Sequence, residues 1–186
     1  FTAMRDENAT LGEAASATKL KNPDAPFTFT FPGLDGRPVS LDDPRFRGKV
    51  VIVSIGGSWC PNCHDEAAFL QPYYRELRDR GLEIVYLQFE YFDDFEQAVT
   101  ANREFVGKFG IEWPVLIAGV SDKDEVLQKL PQLDRFVAYP TSLFVDRQGK
   151  VRRIHTGFSG PATGRHHEEW RQEFTTLVNE LLDERA

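Results

Sequence analysis

The stretch Gly57-Ser58-Trp59-Cys60-Pro61-Asn62-Cys63-His64-Asp65-Glu66, "GSWCPNCHDE", holds both cysteines of a 186-residue chain. Cys-x-x-Cys-His is the pattern that attaches a c-type haem, and Cys-x-x-Cys is equally a redox-active dithiol. The flanking sequence separates the two. Ahead of the motif, Val50-Val51-Ile52-Val53-Ser54-Ile55 is apolar and β-branched, the pattern of a central strand buried on both faces. Behind it, residues 61–80 read as a helix ending at Gly81. Pro72 lies inside that helix, so a kink or break is expected near Gln71.

The motif therefore stands where a strand hands the chain to a helix. Pro61 takes the first helical position, where its missing N–H costs nothing. Cys60 takes the N-cap, beside unpaired backbone N–H groups and the positive end of the helix dipole. Both favour the thiolate, which is the nucleophile. Cys63, nearly one turn on, is placed to attack a mixed disulfide on Cys60 and release the partner. Two cysteines this close enclose a tiny loop that constrains the unfolded chain little, so chemistry explains them better than stability. Glu66 shares the helical face of the two thiols and could exchange the Cys63 proton. The plainer reading is that Asp65 and Glu66 only complement the helix N-terminus. Trp59 is expected to cover one side of the site.

A c-type haem needs His64 as axial ligand and a second ligand. Met4, the only methionine, lies in an irregular segment, leaving His155, His166 and His167. The direct exit from a buried strand and the bulk of Trp59 weigh against haem. Zinc would need ligands beyond Cys60 and Cys63, and His166-His167 reads as a solvated helix start. No metal and no cofactor is expected.

Outward from the motif, Phe27–Phe31 alternates with period two, Asp35-Gly36 signals a turn, and Pro38–Leu41 can return as a short strand. Residues 82–89 read as a second strand, 94–109 as a helix, 114–117 as a strand and 123–130 as a short helix. Strands follow at 141–145 and 151–156. A last helix carries Trp170, Phe174, Leu177, Val178 and Leu181 on one face. Strands alternating with helices, then a hairpin, imply a mixed sheet with helices on both faces. Residues 1–26 are polar and Ala-rich and end at Pro23 and Pro26, so they read as an arm or tether ahead of a domain over 27–186.

A net charge of −7 and a pI near 5.2 argue against nucleic acid as partner; Arg152-Arg153 reads as a solvated strand face. No apolar run approaches the roughly 18 residues of a membrane span. The chain starts at Phe1, and any export signal is expected to have been removed already.

"RGKVVIVSIGGSWCPNCHDEA" followed by "YPTSLFVDRQGKV" resembles the TlpA/ResA-like branch of the thioredoxin superfamily, over about residues 27–183. The resemblance implies an α/β thioredoxin-like three-layer fold with a mixed central sheet, an N-terminal β-hairpin and a βα insertion near 111–130. It implies a thiol–disulfide oxidoreductase that is exported, periplasmic or membrane-tethered, often a reductant and sometimes serving cytochrome c maturation. Its partners would be protein disulfides and a thiol electron donor, which can be membrane-bound. It assigns Cys60 as nucleophile, Cys63 as resolver and Glu66 as the active-site glutamate. It makes Pro140 the cis-proline facing the dithiol, with Tyr139 before it; Trp59, Pro61, Tyr139 and Pro140 would meet the substrate.

The chain departs from the family pattern in places. Ser54 stands where many thioredoxins bury an acid, which shifts proton transfer onto Glu66. Ala68 stands where family helices often bend at proline. Gly56-Gly57 replaces a bulkier pair and is expected to open the site beneath Trp59. Thr156–Pro161 resembles a family loop near the site, with no role assigned. A peroxide-reducing reading lacks its Thr or Ser, since Gly57 stands three residues before Cys60. Pro61 and Asn62 are uncharged and Asp65 and Glu66 are acidic, so the potential is expected nearer about −270 mV than the oxidising extreme of about −120 mV. An oxidase or isomerase on the same fold is the alternative.

Overall fold

A computed structural model describes residues 18–184. The first seventeen residues of the polar arm lie outside them. The elements are β1 (Lys19–Leu20), β2 (Thr30–Pro32), β3 (Pro38–Ser40), β4 (Val50–Gly56), α1 (Pro61–Leu77), β5 (Leu82–Glu90) and α2 (Phe95–Phe109). Then come β6 (Val115–Val120), α3 (Lys123–Lys129), β7 (Leu133–Arg135), β8 (Thr141–Val145), β9 (Val151–Thr156) and α4 (Arg165–Asp183).

Five strands form the central sheet in the order β6-β5-β4-β8-β9. The β4–β5 and β5–β6 pairs are parallel, and β4–β8 and β8–β9 are antiparallel. All seven residues of β4 and all nine of β5 are buried, as expected of largely apolar strands covered on both faces. Val50, Ile52, Leu82, Ile84 and Phe144 pack beneath α1, α2 and α4, joined by Leu70, Tyr74, Phe105, Trp170 and Phe174. Val51, Val53, Ile55, Leu87 and Leu143 pack on the opposite side with Phe27, Phe29, Phe31, Val126 and Leu130. This is the mixed, three-layer α/β architecture that the order of elements implies. The insertion is β6 and α3, which extends the sheet by its edge strand. The β2–β3 hairpin turns at Gly36, whose φ of 77° glycine tolerates without strain.

Three expectations need correction. The strand read over Phe27–Phe31 is regular only from Thr30, although Phe27, Phe29 and Phe31 all enter the core. Residues 18–26, read as part of the arm, lie against the body: β1 pairs with β7, and the Lys21 N–H bonds to the Gln132 carbonyl at 2.9 Å. Helix α1 runs unbroken through Pro72. Leu70, Gln71, Tyr74 and Leu77 hold both sides of that position on the body, while Pro72 and Ala68, whose carbonyl loses its partner, face outward where water can serve it.

Candidate active site

Parallel strands end together at one edge of the sheet, and the chain leaving β4 there must turn before it can start α1. Gly57 to Cys60 makes that turn, closed by the Cys60 N–H on the Gly57 carbonyl at 3.1 Å. Cys60 is the N-cap of α1, extended at φ −87° and ψ 116°, with Pro61 following. The Cys63 and His64 N–H groups bond to its carbonyl at 3.0 and 3.1 Å.

The two thiols differ in environment. Hydrogen bonding from the Cys63 thiol holds the Cys60 pKa below its ordinary value; burial opposes this, the Cys63 and Asn62 N–H groups reinforce it, and the Glu66 charge opposes it. Cys63 is pushed far up, first by burial, then by its bond to Cys60 and the nearby charges of Cys60 and Glu66. Both cysteines are free. The first is thus the more acidic of the two thiols and the second holds its proton more firmly, which is the asymmetry an attacker and a resolver need.

Glu66 lies inside, 3% exposed, against the sheet. The Ser54 hydroxyl donates to its Oε2 at 2.6 Å and the Ser142 hydroxyl to its Oε1. Ser54 and Ser142 are cross-strand partners on β4 and β8, so the sheet register places both donors at one spot. Burial raises the Glu66 pKa from 4.5 to about 7, the two hydroxyls pulling the other way without overcoming it. Ser54 is thus a hydroxyl donor to the buried Glu66 carboxyl. Gln88 and Tyr86 on β5 line the same hollow, and a Cβ at Gly56 would stand 3.2 Å from both the Cys63 Sγ and the Gln88 Oε1. Gly56 is what lets the Cys63 sulfur lie against the strand.

Gly57 opens no space. A Cβ there would meet the Trp59 Nε1 at 2.3 Å and the Phe89 carbonyl at 2.7 Å, so the indole fills the room a side chain would take. Trp59 folds back to donate its Nε1–H to the Phe89 carbonyl at 2.9 Å. Its ring stacks on Tyr91 at 4.4 Å and meets Tyr139 edge-on at 5.5 Å. The Tyr139–Pro140 peptide is cis, and the Pro140 carbonyl accepts the Gly157 N–H at 2.7 Å. The unassigned loop thus lies beside Pro140 at one end and on α1 at the other, where a Cβ at Gly160 would strike the Asp65 carboxyl at 2.2 Å. Pro61, on the helix's first turn, is exposed.

His64 has another task than a haem ligand's. Its Nε2 bonds the Ser58 carbonyl at 2.6 Å, its Nδ1 lies 3.3 Å from the Lys108 Nζ, and the ring packs between Phe105 and Phe109. Among the described residues no three His, Cys, Asp or Glu side chains cluster to hold a metal ion.

Sequence reasoning overlooked Glu90. Fully buried at the end of β5, it accepts the Ser58 N–H and Ser58 hydroxyl, each at 2.8 Å, and the Asn102 amide at 2.9 Å. The available signal was positional: an acid closing a buried parallel strand, at the edge where such sheets carry their sites.

A Cys-x-x-Cys pair at a helix N-terminus on a mixed sheet, with a cis Tyr139–Pro140 peptide just ahead of β8, defines the thioredoxin-like class. Within it the chain belongs to the AhpC/TSA family, whose model matches residues 22–154. It is similar to the thiol-disulfide oxidoreductase ResA of Bacillus anthracis, 30% identical over 123 residues, 66% of this chain and 62% of that protein. ResA of Bacillus subtilis is 28% identical over 134 residues, 72% of this chain and 66% of that one. The matched stretch thus spans a little under two thirds of the length of these relatives. A thiol:disulfide interchange protein of the thioredoxin family from Chlorobium tepidum shares the fold, with a TM-score of 0.64 at 20% identity over 87% of this chain and 97% of that one. So does a thiol-disulfide isomerase from Corynebacterium glutamicum, with a TM-score of 0.65 at 19% identity over 88% and 100%.

Proposed function

We propose that the protein is a thiol–disulfide oxidoreductase acting as a reductase of disulfides in exported proteins. The observation that carries this is the placement of the two free thiols, Cys60 at the N-cap of α1 and Cys63 one turn in on the same helix, with the Cys60 pKa lowered and that of Cys63 raised. The Cys60 thiolate attacks a substrate disulfide, joining one substrate sulfur and expelling the other as thiolate. Cys63 gives its proton to the Glu66 carboxylate and attacks the Cys60 sulfur. The second substrate thiolate leaves and Cys60–Cys63 becomes a disulfide. Two electrons have passed to the substrate, and a thiol donor restores the dithiol. A donor of this kind can be membrane-bound, and the polar N-terminal arm then serves as tether on the extracytoplasmic side. Among the described residues no helix is long and apolar enough to cross a membrane. Trp59, Pro61, Tyr139 and Pro140 form the contact surface for the substrate segment, in which an extended chain pairs with backbone next to Pro140. Cytochrome c maturation is a fitting destination for such reducing power.

Equilibration with glutathione buffers tests the direction. A Cys60–Cys63 potential near about −270 mV is expected, and one near about −120 mV would sink the reductase reading in favour of an oxidase or isomerase. Cys63→Ser should trap mixed disulfides through Cys60; equal trapping by Cys60→Ser through Cys63 would reverse the two roles.

A further inference from the structure

The nucleophile is the last residue of the turn Gly57–Cys60, and both central residues of that turn are gripped from outside it. Ser58 is held twice by the Glu90 side chain, through its N–H and through its hydroxyl, each at 2.8 Å. Trp59 is held by the Phe89 carbonyl at 2.9 Å. Both grips come from the tip of β5, a strand that contributes no reacting atom. Glu90 is itself fixed from a third direction by the Asn102 amide of α2, at 2.9 Å, and Asn102 is anchored in turn to the Ala98 carbonyl. Both Glu90 and Asn102 are fully buried.

Three donors converge here, an N–H, an O–H and an amide N–H. A carboxyl group meets them with two acceptor oxygens and no donor of its own. Burying an acid is costly unless its oxygens are hydrogen-bonded, and two of the three bonds that satisfy Glu90 come from the turn that delivers Cys60 to the N-cap. We propose that Glu90 is a positioning residue for the nucleophile: through Ser58 it holds the Gly57–Cys60 turn in the one shape that seats the Cys60 sulfur at the helix terminus. It touches neither sulfur nor substrate. Its effect is on where Cys60 stands and hence on how well the helix end favours the thiolate.

The readout is Cys60 alone. In a Cys63→Ser chain Cys60 is the single thiol, and its alkylation by iodoacetamide followed against pH gives the thiolate midpoint and the plateau rate separately. Glu90→Ala is expected to move the midpoint to higher pH and to slow alkylation near neutrality about tenfold. Glu90→Gln, which still presents an acceptor to Ser58 N–H and Asn102, should keep both quantities within about twofold of the parent. A parent-like profile in Glu90→Ala overturns the proposal, and so does a Glu90→Gln that falls as far as Glu90→Ala. Should Glu90→Ala fail to fold, Ser58→Ala and Asn102→Ala each remove one of the three bonds and should each slow alkylation about two- to threefold; two parent-like profiles overturn it equally. Val126→Ala loosens the core on the far face of the sheet. If it moves the Cys60 profile as much as Glu90→Ala does, the effect is general softening and the proposal falls. In the two-cysteine chain, disulfide reduction should follow the same order of variants. That second readout rests on the reductase reading. A parent that reduces no disulfide defeats that reading, while alkylation still decides the role of Glu90.

Discussion

On one side of β4 the side chains run Val51, Val53, Ile55; on the other they run Val50, Ile52, Ser54, Gly56. Strand β8 repeats the contrast with Leu143 facing one way and Ser142 and Phe144 the other. The side under α3 and the hairpin is mostly hydrocarbon. The side under α1 is hydrocarbon for half its length and then turns polar, with Ser54, Ser142, Tyr86, Gln88 and Glu66 collected under Cys63. Cross-strand register does the collecting: Ser54 pairs with both Tyr86 and Ser142, and Gly56 with Gln88. The same strands thus supply stability through one face and hold a buried carboxyl through the other. A carboxyl tolerated at that depth has its ionisation driven towards neutrality.

The largest effect that would break this contrast is expected on the hydrocarbon side. Leu143→Ala should cost about 3 to 4 kcal/mol, read from urea unfolding. The protein still folded should reduce disulfides at the parental rate. A loss of rate in the folded fraction would mean that the faces are not separable.

Next in size is Glu66→Gln. Glu66 ionises near 4.5 when unfolded and near 7 when folded. Between those values the unfolded chain releases its proton first, so the group's contribution is best below the lower value and is lost as pH rises to the upper one. The loss is roughly 3 kcal/mol, so Glu66→Gln should be more stable than the parent by about that much above neutrality and no more stable in acid. Its resolving step, followed by release of substrate from the mixed disulfide, should lose the pH step near 7. A variant equally stable relative to the parent at both ends would show that burial does not shift this carboxyl.

The smallest expected effect is that of Ser142→Ala, on the same strand as Leu143 but facing the other way. It removes the stronger of two donors that oppose the burial of Glu66, so the Glu66 pKa should rise further. It should cost about 1 kcal/mol in alkaline solution and less in acid, where the carboxyl is protonated. Titration of the Glu66 carboxyl by NMR is the measurement, and an unmoved midpoint would count against the hydroxyl.

The strand–dithiol–helix passage was legible because its signals are local: a β-branched run, a proline at the first helical position and a spacing of one turn. So was the order of strands that builds the mixed sheet. What escaped depends on residues far apart in the chain. Glu90 reaches Ser58 across 32 positions, and its place at the end of a strand gives no hint of that partner. Ser54 looked like an absence when judged against a family pattern, because its partner Glu66 is a helix residue that only the packing brings to it. The β1–β7 ladder is two to three residues long, too short for any periodicity. Pro72 signalled a kink or break, and the helix is not broken there, its neighbours being packed on both sides.

The indole of Trp59 is fixed by the Phe89 carbonyl and by its stack on Tyr91, directly next to Cys60 in the chain. Of the three tryptophans, Trp113 and Trp170 lie deep in the core under α1 and α4. A disulfide quenches a neighbouring indole's emission and a thiol pair does so less, so the fluorescence of the intact protein should dim as the dithiol closes and recover as it opens. The fold has mounted an optical gauge of its own oxidation state beside the reacting sulfur, readable without label or coupled assay.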